Sequence, residues 1–167
     1  MWPPGRRFKA ARYSRETMKL WDDFIAIVDR HFKYLETDFG FKRVSTELPF
    51  VNYESPYLRV FIFLELGGRS ELDLGFESVE QKYRPPRGSF GIDMLIDLHE
   101  PTKERAHIYP AYTLEGLEAA MKELAESLLT YGANMLRGDL RDLVRLQELE
   151  REEIKKYSKR HGTKNTQ

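Results

Sequence analysis

The sequence predicts an α+β domain: an antiparallel sheet of about four strands, with an N-terminal helix and two C-terminal helices packed on it. Three observations carry this. Apolar residues recur at steps of three and four across residues 15–39 and again beyond Thr113, the spacing of one helical face. Between these segments, residues 57–66 and 69–77 alternate apolar and polar with the period of a strand. The strand-like segments adjoin one another in sequence, so hairpins join them and no parallel crossover is implied. With 167 residues, 41% of them hydrophobic, the chain is sized for one ordinary domain with a single core.

The opening residues contain Trp2-Pro3-Pro4-Gly5, which interrupts regular structure, so residues 1–14 read as a flexible basic extension. In residues 15–39 one helical face collects Trp21, Phe24, Ile25, Val28, Phe32 and Leu35, with Ser14 placed to cap the start and Gly40 the end. Residues 41–47 and 50–54 read as short strands, joined at Pro49 and closed by Ser55-Pro56. In the next segment Leu58, Val60, Ile62, Leu64 and Leu66 share one face, while Tyr57, Arg59, Phe61, Phe63 and Glu65 share the other. After it, Leu72, Leu74 and Phe76 are buried and Glu71, Asp73 and Glu77 face outward.

Parity decides how these two strands meet. A two-residue Gly67-Gly68 turn would pair Leu64 with Glu71 and Ile62 with Asp73, placing acids on the core face. A three-residue loop, Gly67-Gly68-Arg69, pairs Leu64 with Leu72, Ile62 with Leu74 and Val60 with Phe76. It also sets Arg59 against Glu77 and Phe61 over Gly75, at the cost of placing Glu65 beside Glu71.

Residues 78–89 are polar and carry Pro85-Pro86 and Gly88, which predicts an exposed loop. Residues 90–98 fit both a strand and a helix; the spacing of Ile92, Leu95, Ile96 and His99 favours a short helix. Thr113 caps a long amphipathic helix through Leu117, Met121, Leu124, Leu128, Tyr131 and Met135 to Gly138. Asp139 caps the last, which packs Leu140, Leu143, Val144 and Leu146 and then becomes highly charged, with Glu152 and Lys156 spaced to pair. The domain is therefore expected over residues 15–150, followed by a charged helix end and tail over 151–167.

The formal charge of zero hides a segregation. Residues 1–15 carry five basic side chains and no acid; residues 151–167 carry six basic and two acidic. Residues 16–150 carry 16 basic against 25 acidic, so an acidic body lies between basic ends. Such a body repels phosphate backbones, which confines any nucleic-acid binding to the tails, where Arg6, Arg7, Lys9 and Arg12 interleave with Phe8 and Tyr13. The absence of cysteine removes disulfides, thiolate nucleophiles and sulfur-based zinc sites. No apolar run is long enough for a membrane span or a secretory signal, which predicts a cytoplasmic protein with no membrane partner.

No G-x-S-x-G elbow, phosphate-cradling glycine loop or dinucleotide fingerprint occurs, and no cofactor is implied. Two sets of residues offer weaker chemistry. His99, Glu100, Glu104 and His107 could supply nitrogen and oxygen ligands to a divalent ion, but their spacing matches no known site, and Pro101 and Pro110 point to a solvated loop. His31 and His161 have no partner visible in the sequence. Glu65, Glu71, Asp73 and Glu77 gather on one strand face, as alternation alone arranges. Phe61 and Phe63 on that same side require either a helix covering the sheet's second face, the reading favoured here, or an exposed patch of the kind that marks interfaces.

Four short patterns carry a family resemblance: Phe39-Gly40-Phe41 after the opening helix, Tyr53-Glu54-Ser55 before a hydrophobic strand, Ser70-Glu71-Leu72-Asp73-Leu74, and Tyr131-Gly132 followed by Leu136-Arg137-Gly138-Asp139. They resemble small uncharacterised bacterial α+β domains, some of them immunity proteins that neutralise polymorphic toxins. The resemblance implies an α+β fold and binding without catalysis, with no catalytic residue to carry over.

The sequence reading is therefore a non-catalytic protein-binding module with a protein partner of cationic character, and with Arg59, Phe61, Phe63, Glu65, Glu71, Asp73 and Glu77 as its binding-face candidates. Two alternatives stand beside it. One is a metal-dependent enzyme using the strand-face carboxylates or the loop from His99 to His107. The other is a nucleic-acid-associated accessory protein acting through its basic tails.

Overall fold

The computed structural model describes residues 15–65, 71–86, 88–101, 109–111 and 113–161. The expectations for residues 1–14, for the loop at Gly67-Gly68-Arg69, for Glu104 and His107, and for the tail beyond residue 161 lie outside these residues.

Strands β1 (Lys42–Glu47), β2 (Phe50–Glu54), β3 (Leu58–Leu64) and β4 (Glu71–Ser78) form an antiparallel meander in chain order. Two further strands of two residues each, β5 (Phe90–Gly91) and β6 (Tyr109–Pro110), line the outer edge of β4, at Gly75 and Phe76 and at Glu71 and Leu72 respectively. The β3–β4 register pairs Leu64 with Leu72, Ile62 with Leu74, Val60 with Phe76 and Arg59 with Glu77, as the parity argument requires. The ladder extends by one bond from the Glu65 amide to the Glu71 carbonyl, 2.9 Å, and the crowding of two acids is tolerated because Glu65 is exposed.

Local chemistry sets the turns. Ser55 Oγ accepts from the Tyr57 and Leu58 amides at 3.2 and 3.0 Å, closing the β2–β3 connection beside Pro56. The β1–β2 register slips between Arg43 and Ser45, a β-bulge that leaves Val44 unmatched and 56% exposed.

The N-terminal helix is interrupted where one continuous helix was expected. Helix α1 (Arg15–His31) ends at Phe32, whose φ of −107° and ψ of 11° leave helical geometry, and a short α2 (Lys33–Thr37) follows. The break turns Phe32 and Leu35 into the core, where both are fully buried. Within α1, Ile27 is buried and Ile25 only half so, which shifts the expected apolar face by a fraction of a turn. Gly40 adopts a φ of +70° and lets the Phe41 amide reach back to the Leu35 carbonyl at 2.9 Å.

Residues 92–99 form helix α3 (Ile92–His99), entered directly from β5, so the ambiguous segment holds a short strand and then the favoured helix. Helix α4 (Leu114–Leu136) begins as expected, with Thr113 Oγ1 accepting from the Gly116 amide at 3.0 Å. Asp139 Oδ1 accepts from the Arg141 amide at 3.2 Å and opens α5 (Arg141–His161). The expected Glu152–Lys156 salt bridge is not formed, and from Arg151 to Lys159 every residue except Ile154 is exposed.

Among the described residues of 78–89, the exposed loop expected is exposed only in part. Ser78 and Pro85 are buried, Gln81–Tyr83 forms a 3-10 turn, and Gln147 of α5 donates to the Lys82 and Arg84 carbonyls at 3.0 and 2.8 Å. The sequence looked polar because the turn meets α5 through its backbone carbonyls.

A single core joins all of this. Leu58, Val60, Ile62 and Leu64 of β3 and Leu72, Leu74 and Phe76 of β4 pack with Phe24 and Val28 of α1, Leu95 and Ile96 of α3, Met121, Leu124 and Leu128 of α4, and Leu143 and Leu146 of α5. Each aliphatic side chain buried this way contributes about 1.5–3 kcal/mol of transfer free energy.

Candidate protein-binding face

Turning Leu58, Val60, Ile62 and Leu64 inward necessarily turns Arg59, Phe61 and Phe63 to the opposite side of the sheet. The registers of β1 through β4 then lay out three cross-strand rows. The first runs Lys42, Glu54, Arg59, Glu77; the second Ser45, Asn52, Phe61, Gly75; the third Glu47, Phe50, Phe63, Asp73. Glu65 and Glu71 continue the face beyond the third row. Arg59, Phe61, Phe63, Glu65, Glu71, Asp73 and Glu77 are thus brought to one surface, and Phe50, Asn52 and Glu54 join them.

Among the described residues, the favoured expectation that a helix covers this second face is not met. Phe50, Phe61 and Phe63 lie outside the core and are half-buried, and among the described residues the helices contribute to the aliphatic side. The described helices α1 to α5 all contribute side chains to that one core, which leaves none of them for a second layer.

Each row has its own chemistry. In the first, Arg59 bridges two carboxylates, Nε to Glu54 Oε2 at 2.6 Å and Nη1 to Glu77 Oε1 at 3.3 Å. The Glu54 hydrogen bond holds the guanidinium's pKa above its ordinary value, partial burial opposes this, and the Glu77 bond adds to it. In the second, Asn52 Nδ2 donates to Ser45 Oγ at 2.5 Å and the Phe61 ring rests on Gly75. In the third, the Phe50 and Phe63 rings stand 4.9 Å apart at 32°, a favourable aromatic contact.

Asp73 closes the third row beside Phe63. Its tip meets water, but the neighbouring protein atoms strip part of its hydration, which pushes its carboxyl up; a backbone hydrogen bond at Leu74 offsets part of the effect. Altogether the face carries Glu47, Glu54, Glu65, Glu71, Asp73 and Glu77 against Lys42 and Arg59, an acidic surface with an aromatic centre.

The metal alternatives fare differently. Glu65, Glu71, Asp73 and Glu77 share the face, but among the described residues they form no group of three or more placed to hold one metal ion. His99 Nε2 contacts Asp142 Oδ2 at 2.9 Å, and Tyr131 Oη donates to Glu100 Oε1 at 2.6 Å, so these side chains tie α3 to α5 and α4. Among the described residues no group of three or more His, Asp or Glu stands close enough to hold a metal ion; Glu104 and His107 lie outside them. His31, which has no visible partner in the sequence, contacts Glu118 Oε1 at 2.5 Å while Arg30 Nη1 holds Oε2 at 2.8 Å. The partner sits on α4, 87 positions away, beyond the reach of local pattern reading. Nearby, Arg30, Leu114, Glu118 and Lys122 line only a shallow, open depression.

Phe50, Asn52 and Glu54 were missed as face residues. Their alternation with Val51 and Tyr53 was present in the sequence, and extending the parity argument from β3 to β2 finds them. No protein-family model, no curated protein and no solved structure matches this chain.

Proposed function

We propose that this chain is a non-catalytic protein-binding module, of the kind an immunity-type inhibitor of a toxin requires, and that it receives a protein partner of cationic surface on the face of β2, β3 and β4. One observation carries the reading: Phe50, Phe61 and Phe63 stand outside the core, in the middle of a face rimmed by carboxylates. Aromatic side chains surrounded by a polar rim are the usual anatomy of an interface, where a few rings supply most of the affinity. The rings sit on paired strands, so little conformational freedom is lost on binding. Carboxylates around them speed the approach of a positive partner and reject a negative one.

The test is a comparison of the full chain with a Glu71→Lys/Asp73→Lys variant as bait for partners from the native host. A partner retained by the unaltered chain in a salt-sensitive manner, and bound at least about tenfold more weakly by the variant, supports the reading. A partner held equally by both proteins overturns it.

A further inference from the structure

We propose that the distal half of α5 from a second copy of the chain docks on the β2–β3–β4 face, so that the protein associates with itself through its own binding surface. The inference rests on the reading of that face as a protein-binding surface, and names one occupant for it.

The helix end is built to be covered. The buried stripe of α5, Leu143, Leu146 and Gln147, continues through half-buried Glu150 and Ile154 to Tyr157, which is 60% exposed. The eleven residues 151–161 extend about 16 Å past the body of the domain. They hold Arg151, Lys155, Lys156, Lys159 and Arg160 against Glu152 and Glu153. Among the described residues, Arg151, Lys155 and Lys156 form no salt bridge, and neither do Glu71 and Asp73 on the sheet.

The two surfaces complement each other in charge, character and size. Three strands at about 4.8 Å spacing present a width that a three-turn helix spans, and an open sheet face is most readily covered by a helix. Ile154 and Tyr157, one turn apart, offer apolar contact to the Phe50–Phe63 pair, and the flanking lysines meet Glu71 and Asp73. The contact lies between molecules because α5 is rooted on the helical layer, packed against α3, α4 and the 3-10 turn at Gln81–Tyr83. A continuous helix anchored there does not fold round the sheet edge to its own chain's far side. Two reciprocal contacts of this size make a weak dimer, at the low end of specific interfaces.

Sedimentation equilibrium on the full chain tests this with four proteins, each checked for native circular dichroism: unaltered, Glu71→Lys/Asp73→Lys on the face, Lys155→Glu/Lys156→Glu on the arm, and all four changes together. The expected result is a concentration-dependent dimer weakened by salt, a dissociation constant raised at least about tenfold by either pair, and recovery when the pairs are combined. A monomer at all concentrations overturns the proposal. So does a dimer lost in the arm variant but kept in the face variant, which would place the arm against another surface, and so does the absence of recovery. The arm variant leaves the sheet face untouched, so its partner binding separates the two readings. If self-association fails while the face variant still loses the partner, only the dimer is excluded; if the face variant keeps the partner, the binding face falls instead.

Discussion

Phe61 lies across Gly75 with no room for a methyl group between them: a β-carbon at residue 75 would stand 2.8 Å from the ring. The aromatic ring covers the glycine backbone and in turn is held flat on the sheet. Gly75→Ala is therefore expected to cost about 1–2 kcal/mol, because the ring must leave its place on the strand. A double-mutant cycle with Phe61→Leu, measured by urea unfolding, should recover about half of that loss. Strictly additive effects would show that the two residues do not interact.

Arg59 bridges two carboxylates on a face where acids outnumber bases. Arg59→Met should destabilise the fold by about 0.5–1 kcal/mol, a modest figure because the side chain is 38% exposed. The penalty comes from Glu54 and Glu77 left facing each other across the strand, so it should shrink in 0.5–1 M salt, where the Debye length is only a few ångströms. A salt-independent loss would point to the packing of the arginine stem instead.

Asp73 has the opposite character. Its native carboxyl is raised by loss of hydration, so the folded state binds the proton more tightly than the unfolded state does. The cost of ionising it is absent below the unfolded pKa of about 3.9, grows as the pH rises toward the folded value, and is complete above that. Asp73→Asn should therefore raise stability at pH 7 by a few tenths of a kcal/mol, kept small by solvent screening. The gain should vanish below about pH 4, and thermal melts at pH 3.5 and pH 7 read the difference directly. A gain equal at both pH values would contradict the assignment.

Gln147 is one of the few buried polar side chains, and its amide holds two carbonyls of the 78–89 segment. Gln147→Leu leaves the Lys82 and Arg84 carbonyls without their donor, at an expected cost of about 1–3 kcal/mol. Amide exchange should accelerate in residues 81–84 before it does in β3 and β4, because those strands keep their ladder. Uniform acceleration across the sheet would mean that the contact is not local.

Much of the architecture was legible because it depends on period and parity. Leu64 opposite Leu72 and Arg59 opposite Glu77 follow from counting residues about a turn, and Thr113 announces its helix by cap chemistry, while Asp139 stands one residue ahead of the cap position of α5. What escaped depends on contacts between distant segments. The break at Phe32, the pairing of His31 with Glu118, and the grip of Gln147 on residues 82 and 84 are decided by the packed core, and no local pattern carries them. For the face, the strand-derived residues were visible while its openness was not. Whether Phe61 and Phe63 are covered depends on how many helices the other side consumes, which becomes known only when all are placed.

The unmatched Val44 gives the sheet a rim that ends pairing. A flat, regular outer strand would offer its free amides and carbonyls as a template for the next molecule, and stacking could proceed without limit. The slip in β1 spoils that template by local twist, with Lys42 and Glu47 adding charge at either end. Growth by strand addition is thereby disfavoured at this rim, because an incoming strand finds no regular ladder to continue past Val44.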